Sequence, residues 1–168
     1  MSPRSGAQAP VLVVTGRTGG GKSTVCRWLA RRGAFVLDAD RVGHEVLAAA
    51  TVAAGLAEDF GPGILDGAGR VDRARLGPVV FADEAALERL NRRVHPPLVA
   101  ELGRRIAALR RSRACELIVV DAALHFIFQP PLAADAVLWC EADEAELRRR
   151  IAERDHLDEE AAAERLRC

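Results

Sequence analysis

One segment of this sequence has the residue types and spacing of a phosphate-binding loop. Residues 16–24 read Gly-Arg-Thr-Gly-Gly-Gly-Lys-Ser-Thr and fit the P-loop pattern G-x-x-x-x-G-K-[ST] at every fixed position. The glycines allow successive backbone N–H groups to turn toward one anion, and the Ser23 hydroxyl can bind Mg²⁺. The alternative is a glycine-rich turn that matches by chance. The pattern predicts a chain that binds a nucleoside triphosphate, or that descends from one that did.

Lys22 stands out because it is the only lysine among the 24 lysine and arginine residues of the chain. A compact ammonium group on a flexible stem can reach between β- and γ-phosphate oxygens, where a planar guanidinium would be too bulky. A lysine at this one position therefore indicates a function that arginine cannot perform. We predict that Lys22 is catalytic and contacts the phosphates.

Four apolar runs predict the strands that would hold these groups. They are rich in Val, Ile and Leu without alternation, as is typical of parallel strands buried on both faces. The predicted strands cover residues 11–15, 35–38, 116–121 and 136–140. Helices are predicted at residues 22–32, 41–50, 85–93 and 97–111, with one or two more between 144 and 168.

The segment from residue 51 to residue 113 is mostly helical by pattern and contributes no strand. Glycine-rich breaks at residues 61–63 and 66–69 separate its helices. The predicted fold class is α/β, a three-layer α/β/α parallel sheet of the P-loop NTPase type with an inserted helical lobe. Residues 1–10 are expected to form a flexible tail, and residues 11–168 a single domain that includes the insertion.

Carboxylates follow two further strands, at the edge where parallel sheets gather their sites. Asp38 and Asp40 come at the end of the second strand, and Asp121 ends the third. Next to a triphosphate, one Asp can accept the proton of an attacking hydroxyl, and another can orient Mg²⁺ through its waters. We predict the base role for Asp40. The alternative for Asp38 is a helix N-cap, and for Asp121 a turn residue.

The composition excludes several classes of function. Apolar residues make up 49% of the chain, enough for a core, and the 24 basic residues balance 24 acidic ones, so no global basic field attracts nucleic acid. Four scattered cysteines without a C-x-x-C pair predict neither a zinc site nor a disulfide framework. With no apolar run of membrane-spanning length and no signal-peptide pattern, we predict a cytoplasmic protein. The sequence does not predict its oligomeric state.

These and further motifs resemble the dephospho-CoA kinase family. Residues 33–41 read Gly-Ala-Phe-Val-Leu-Asp-Ala-Asp-Arg, and His44 follows a few positions later. Residues 80–83 read Val-Phe-Ala-Asp, and residues 90–96 read Leu-Asn-Arg-Arg-Val-His-Pro. The combination of Asp-Ala-Asp with Val-His-Pro is more specific than the P-loop, which many kinase families share. The resemblance covers nearly the whole chain.

The resemblance implies transfer of the γ-phosphoryl group of ATP to the ribose 3′-hydroxyl of dephospho-CoA, with Mg²⁺ bound by Ser23. It implies that Asp40 is the general base and that the inserted lobe, including His95, shapes the acceptor pocket. A structural histidine at a helix start is the alternative for His95. The residues assigned to ATP are Gly19, Gly20, Gly21, Lys22, Ser23, Thr24 and Arg154. The residues assigned to the substrate are Asp38, His95 and Asp121.

Arg154 is chosen for ATP because it precedes Asp155 in an Arg-Asp pair that the family shares at its lid. P-loop kinases use such arginines to neutralise charge in the transition state. For the run of arginines at residues 148–150, which leads to the same place, we favour a solvated helix face.

Two departures from the family pattern bear on activity. Family members usually follow the third strand with Asp-Val-Pro-Leu-Leu-Phe-Glu, whereas residues 121–127 read Asp-Ala-Ala-Leu-His-Phe-Ile. The family also continues into a fifth strand that contacts adenine, so we expect the fold to be C-terminally short. A different small-molecule P-loop kinase and a catalytically weak ATP-binding relative therefore stay as alternatives.

Overall fold

The structure, a computed structural model, describes residues 8–123 and 125–167, so most of the predicted tail lies outside the described residues. Strands and helices alternate through the sheet-forming parts of the chain. The strands are β1 Val11–Gly16, β2 Phe35–Asp38, β3 Ile118–Asp121 and β4 Ala136–Cys140. The helices are α1 Lys22–Ala30, α2 Ala39–Leu47, α3 Ala50–Phe60, α4 Arg73–Phe81, α5 Glu84–Ser112, α6 Glu144–Asp155 and α7 Glu159–Arg167.

The four strands form one parallel sheet in the order β2-β3-β1-β4, with helices on both sides. Strand β1 is central and pairs in parallel with both β3 and β4. Val13 and Val14 of β1 and Val119 and Val120 of β3 are fully buried, as the continuous apolar runs predict. The predicted α/β class and the parallel sheet are confirmed.

The chain divides into two compact units. The first, here called the sheet unit, comprises residues 1–37, 108–125 and 133–168. The second, here called the helical unit, comprises residues 38–107 and 126–132. Most of the predicted lobe at 51–113 falls in the helical unit, which also includes α2.

Residues just before β1 are bound into the sheet unit. The Pro10 carbonyl accepts a hydrogen bond from the Ile118 backbone at 3.0 Å, and the Ala9 carbonyl accepts one from Arg110 at 2.9 Å. Asp135 accepts two more, from the Val11 backbone and from Arg110. The start of β1 is therefore fixed by Arg110 of α5, by Ile118 of β3 and by Asp135, which precedes β4.

Most of a long helix, α5, lies in the helical unit, where the sequence predicts two helices. Helix α5 runs through Pro96 and Pro97 without interruption, so the predicted break between residues 93 and 97 is wrong. An internal proline costs about 3 kcal/mol because it lacks an N–H group and crowds the preceding turn. Burial of Leu98, Leu102 and Ile106 on the same helix offsets this cost, since each contributes about 1.5–3 kcal/mol.

Two other predictions concern the segments next to α5. The predicted helix at 41–50 corresponds to α2, which begins two residues earlier, at Ala39, because the Asp38 side chain caps its start. A separate helix, α3, begins at Ala50. The predicted breaks are confirmed, with a 3₁₀ turn at Pro62–Ile64 and a hydrogen-bonded turn at residues 66–69. In the part of the chain that the structure describes, no helix is long and apolar enough to cross a membrane.

Candidate active site

The P-loop, residues 16–24, joins β1 to α1 in the sheet unit, and its glycines pack against Cys140 at the end of β4. A Cβ atom on Gly16 would lie 2.0 Å from the Cys140 carbonyl oxygen, and one on Gly20 would lie 2.5 Å from it. Such distances do not occur in folded proteins, so both positions require glycine for close approach. The path of the loop is therefore fixed by contacts between backbone atoms.

Lys22 begins α1 and closes the loop with its own side chain. The ammonium group donates hydrogen bonds to the carbonyl oxygens of Gly16 at 2.8 Å and Arg17 at 3.0 Å. Gly21 precedes it in the left-handed conformation, with φ of 95°. The first N–H groups of a helix have no intrahelical partner, and the positive end of the helix dipole favours an anion there. Backbone and ammonium together form a site suited to phosphate.

Oxygen donors suited to Mg²⁺ are present in the sheet unit. The Ser23 side chain is exposed in the first turn of α1, beside Thr24. Among the described residues, no group of three or more His, Cys, Asp and Glu side chains could hold a metal ion. A few oxygen donors without a protein cage are typical of Mg²⁺ sites, where phosphates and waters supply the remaining ligands.

Asp121 ends β3 and lies opposite Val14 in the register of β1 with β3. The nearby thiol of Cys140 interacts electrostatically with both Asp121 and Lys22. Burial raises the pKa of the Cys140 thiol, the Lys22 ammonium lowers it, and the Asp121 carboxylate raises it again. The structure thus brings Asp121 and Lys22 to the same place at the end of the sheet, as the sequence predicts.

Four arginines are considered for the lid, at residues 148–150 and 154, and among the described contacts Arg150 is the one that reaches the P-loop. Its guanidinium donates to the Gly19 carbonyl at 3.2 Å and to Glu146 at 2.7 Å. Arg150 is exposed, as a solvated helix face predicts, but it also contacts the P-loop, which that prediction did not include. The sequence does contain a signal for it, since Arg150 lies beside Leu147 and Ile151, the two buried residues of α6.

Arg154 makes different contacts from Arg150. It donates two hydrogen bonds to the neighbouring Asp155, at 2.7 and 2.9 Å, and this pairing raises the pKa of the guanidinium. Asp155 also forms an ion pair with Arg165 of α7, whose Nε lies 3.1 Å from Asp155 Oδ2. The role of Arg154 in ATP binding stays a prediction.

Asp38 and Asp40 belong to the helical unit and have different surroundings. The Asp38 side chain accepts a hydrogen bond from the Arg41 backbone at 3.0 Å and caps α2. Asp40 lies in the first turn of α2, is exposed, and makes no ion pair with any described residue. The capping alternative for Asp38 is thus present in the structure, whereas the Asp40 carboxylate remains available for a ligand.

His95 is buried within the helical unit, with 5% of its surface exposed. Its ring packs edge-on against Phe128 with centroids 5.4 Å apart, and it hydrogen-bonds the Ile127 backbone. Burial lowers the pKa of His95, which favours the neutral imidazole. These contacts fit the structural alternative, and direct contact with a substrate stays a prediction.

Comparison with known proteins identifies the family. A family model described as dephospho-CoA kinase matches residues 10–168. The chain belongs to the dephospho-CoA kinase family. A dephospho-CoA kinase of Syntrophus aciditrophicus is 36% identical over 154 residues, which cover 91% of this chain and 66% of that relative. The chain therefore spans just under two thirds of the length of this dephospho-CoA kinase.

Solved structures agree with the family assignment. A Thermus thermophilus protein superposes with a TM-score of 0.77 at 27% identity, covering 96% of this chain and 80% of that protein. A dephospho-CoA kinase from Campylobacter jejuni superposes with a TM-score of 0.60 at 26% identity, covering 94% and 78%. The predicted family and fold class are both confirmed.

The segment after β3, where this chain departs from the dephospho-CoA kinase pattern, is held closely at its start. The Ala122 backbone donates to the Val14 carbonyl at 3.0 Å, and the Thr15 hydroxyl donates to the Ala123 carbonyl at 3.1 Å. His125 is buried, and burial lowers the pKa of its imidazole. Ala122 and His125 are therefore buried within the sheet unit, whereas Phe126 and Ile127 belong to the helical unit and are exposed.

Proposed function

We propose that this chain transfers the γ-phosphoryl group of ATP to the ribose 3′-hydroxyl of dephospho-CoA, giving coenzyme A and ADP. The observation that carries the proposal is a P-loop fixed by backbone contacts, with Lys22 at the start of α1, in a member of the dephospho-CoA kinase family.

The P-loop would hold the triphosphate. Backbone N–H groups from Gly19 to Thr24 would bind the phosphate oxygens, and Lys22 would turn from its carbonyl partners to the β- and γ-phosphates. The Ser23 hydroxyl would bind Mg²⁺, with the Asp121 carboxylate orienting its waters. When bound, Mg²⁺ neutralises charge that builds on the phosphate oxygens.

Asp40 is proposed as the general base. The acceptor 3′-oxygen forms a bond to the γ-phosphorus while the bond from that phosphorus to the β,γ-bridging oxygen breaks. The proton of the 3′-hydroxyl passes to the Asp40 carboxylate, and ADP leaves with the bridging electron pair. An exposed carboxylate suits this role, because no guanidinium of the described residues pairs with it and competes for its lone pairs.

Four further assignments complete the proposal. Arg154 would contact the ATP phosphates, and Arg150 already lies on the P-loop. Asp38 and His95 would shape the acceptor site, Asp38 through the start of α2 and His95 through the segment at Ile127. Scattered cysteines and a net charge of zero support a cytoplasmic kinase of small molecules that does not bind nucleic acid.

The test is an assay that couples ADP release to a readable signal, with ATP, Mg²⁺ and dephospho-CoA. We expect turnover well above the ATP-only background. A panel of nucleosides and sugar alcohols in the same assay tests the nearest alternative, another small-molecule kinase, which the altered residues 122–127 favour. Turnover of a panel member but not of dephospho-CoA would replace the proposal. ATP binding by calorimetry without any transfer would favour a non-catalytic relative.

A further inference from the structure

Helix α2, which carries Asp40, is too short to be stable by itself. It has nine residues, with Gly43 in the middle. Isolated helices below about 12–15 residues are marginal in water, and an internal glycine costs a further ~0.5–1 kcal/mol. The direction of the Asp40 carboxylate therefore depends on what holds α2 in place.

One face of α2 is held by apolar contacts, through the buried Val42 and Val46. Apolar contacts have little directionality, so they allow a helix to rotate or slide by small amounts. A directional contact comes from Glu45, five residues after Asp40 on the same helix. Its carboxylate accepts a hydrogen bond from Arg105 of α5, which lies sixty residues further along the chain.

Arg105 is itself held by α5. Its Nε donates to Glu101 at 2.7 Å, one turn earlier on the same helix, while its Nη2 donates to Glu45 on α2. The Arg105 side chain is 28% exposed and that of Glu101 is 23% exposed. A partly buried guanidinium that bridges two carboxylates has its planar fork fixed at both ends, which a single surface pair does not achieve.

We propose that Arg105 is a positioning residue for phosphoryl transfer, because it joins α2 to α5 through Glu45 and so fixes the direction of the Asp40 carboxylate. The inference rests on the proposed function, in which Asp40 is the general base. Arg105 touches no reacting atom in this scheme. It acts through Asp40, since misplacement of a catalytic group by about 1 Å can lower a rate by about 10²-fold.

The neighbouring Arg104 provides a matched control. It makes two hydrogen bonds to the same Glu101, at 2.7 and 2.6 Å, but the pair stays within α5. Arg104→Gln and Arg105→Gln remove the same charge from adjacent positions of one helix. Only Arg105→Gln disconnects α2, so the two variants separate positioning of α2 from a general effect of charge or of α5 stability.

The experiment measures kcat and the KM for ATP in the full chain with dephospho-CoA as acceptor. For Arg105→Gln we expect kcat to fall about 3–10-fold with the KM for ATP unchanged, whereas Arg104→Gln should change kcat less than about twofold. Glu45→Gln should reproduce the effect of Arg105→Gln. Because it leaves the Arg105–Glu101 pair in place, it provides the test if Arg105→Gln proves poorly folded. Equal kcat values for Glu45→Gln, Arg104→Gln and the unaltered chain would overturn the inference.

A double-substitution cycle with Asp40→Asn gives a readout that loss of stability would not move. If Arg105 acts through Asp40, Arg105→Gln should not lower kcat further in the Asp40→Asn background. An undiminished 3–10-fold loss there would contradict the positioning role. An unaltered chain without turnover would instead reject the proposed function, so the two failures are distinguishable.

Discussion

The P-loop of the sheet unit and helix α2 of the helical unit both carry predicted catalytic residues, but they hold them by different means. The P-loop is shaped by backbone contacts, with Gly16 and Gly20 against the Cys140 carbonyl. Helix α2 is held by two buried valines and by an ion pair between side chains. The comparison teaches that Gly16 and Gly20 of the P-loop leave no room for a side chain, whereas the placement of Asp40 can be altered in small steps.

The largest effect is expected at Lys22. Lys22→Ala should abolish transfer and weaken ATP binding, because the β- and γ-phosphates lose their point charge. Lys22→Arg should fail as well, although it keeps the charge, because the planar fork cannot occupy the place of an ammonium held 2.8 Å from the Gly16 carbonyl. Measurement of kcat and of ATP affinity for both variants checks this. Near-full activity of Lys22→Arg would contradict it.

Asp40→Asn tests the other side of the comparison. It keeps the size of the side chain and removes its ability to take a proton, so kcat should fall by about 10²–10⁴-fold with ATP affinity nearly unchanged. Asp38→Asn should be much milder, because asparagine also caps a helix well and can replace the acceptor for the Arg41 N–H. A larger loss for Asp38→Asn would reverse the assignment of the base. Small, equal losses would favour catalysis by positioning alone.

The two regions also differ in how far the sequence predicts them. The P-loop was predicted because its residues are consecutive and each glycine or lysine has a local reason. The strands were predicted because burial on both faces leaves an apolar run. Long-range pairs leave no such pattern, although the spacing of Arg150 with Leu147 and Ile151 indicates which side of α6 it lies near. Arg150 meets Gly19 across 131 positions and Arg105 meets Glu45 across 60, and no spacing rule joins either pair.

The prediction that proved wrong followed a local rule that tertiary contacts outweigh in the structure. Pro96 and Pro97 predict a helix end, yet α5 continues because burial of Leu102 and its neighbours on the same helix outweighs the lost hydrogen bonds. The early start of α2 is predictable from the sequence, because Asp38 is a good N-cap residue, which is the alternative to its catalytic role. The catalytic role of Asp40 stays a prediction from resemblance, for which the structure supplies exposure and a helix start.

Arg150 offers a way to sharpen the comparison at the P-loop. Arg150→Ala removes the guanidinium that donates to the Gly19 carbonyl, so the KM for ATP should rise about 3–10-fold, less than a buried charged hydrogen bond would give because Arg150 is partly exposed. Arg149→Ala is the control, since the ion pairs of Arg149 with described residues, to Glu146 and Glu153, stay within its own helix. Equal KM values for the two variants would contradict a role for Arg150.

Arg154→Ala belongs in the same series. If Arg154 leaves Asp155 to bind phosphate, the substitution should raise the KM for ATP at least as much as Arg150→Ala does. If its pair with Asp155 is its whole function, the KM should stay unchanged while the thermal midpoint falls. The second result would remove Arg154 from the residues proposed for ATP.

The smallest expected effect concerns Glu101, the carboxylate that anchors Arg105. Hydrogen bonds from Arg104 and then Arg105 lower the pKa of Glu101 from its ordinary 4.5 to about 2. A carboxyl whose pKa is lower in the folded state stabilises the fold while it is ionised. That contribution is fully present above about pH 4.5 and is lost as the pH falls toward 2.

Glu101→Gln should therefore lower the thermal midpoint most at neutral pH, and the difference from the unaltered chain should shrink between pH 4.5 and about pH 2. Glu88→Gln is the matched control, because Glu88 lies on the same helix and makes no ion pair among the described residues. Its midpoint should follow that of the unaltered chain at every pH. If the difference in thermal midpoint between Glu101→Gln and the unaltered chain did not change with pH, the Glu101 side chain would contribute through packing and not through its charge. Arg105 would then lack the charged partner on α5 that holds its guanidinium toward Glu45.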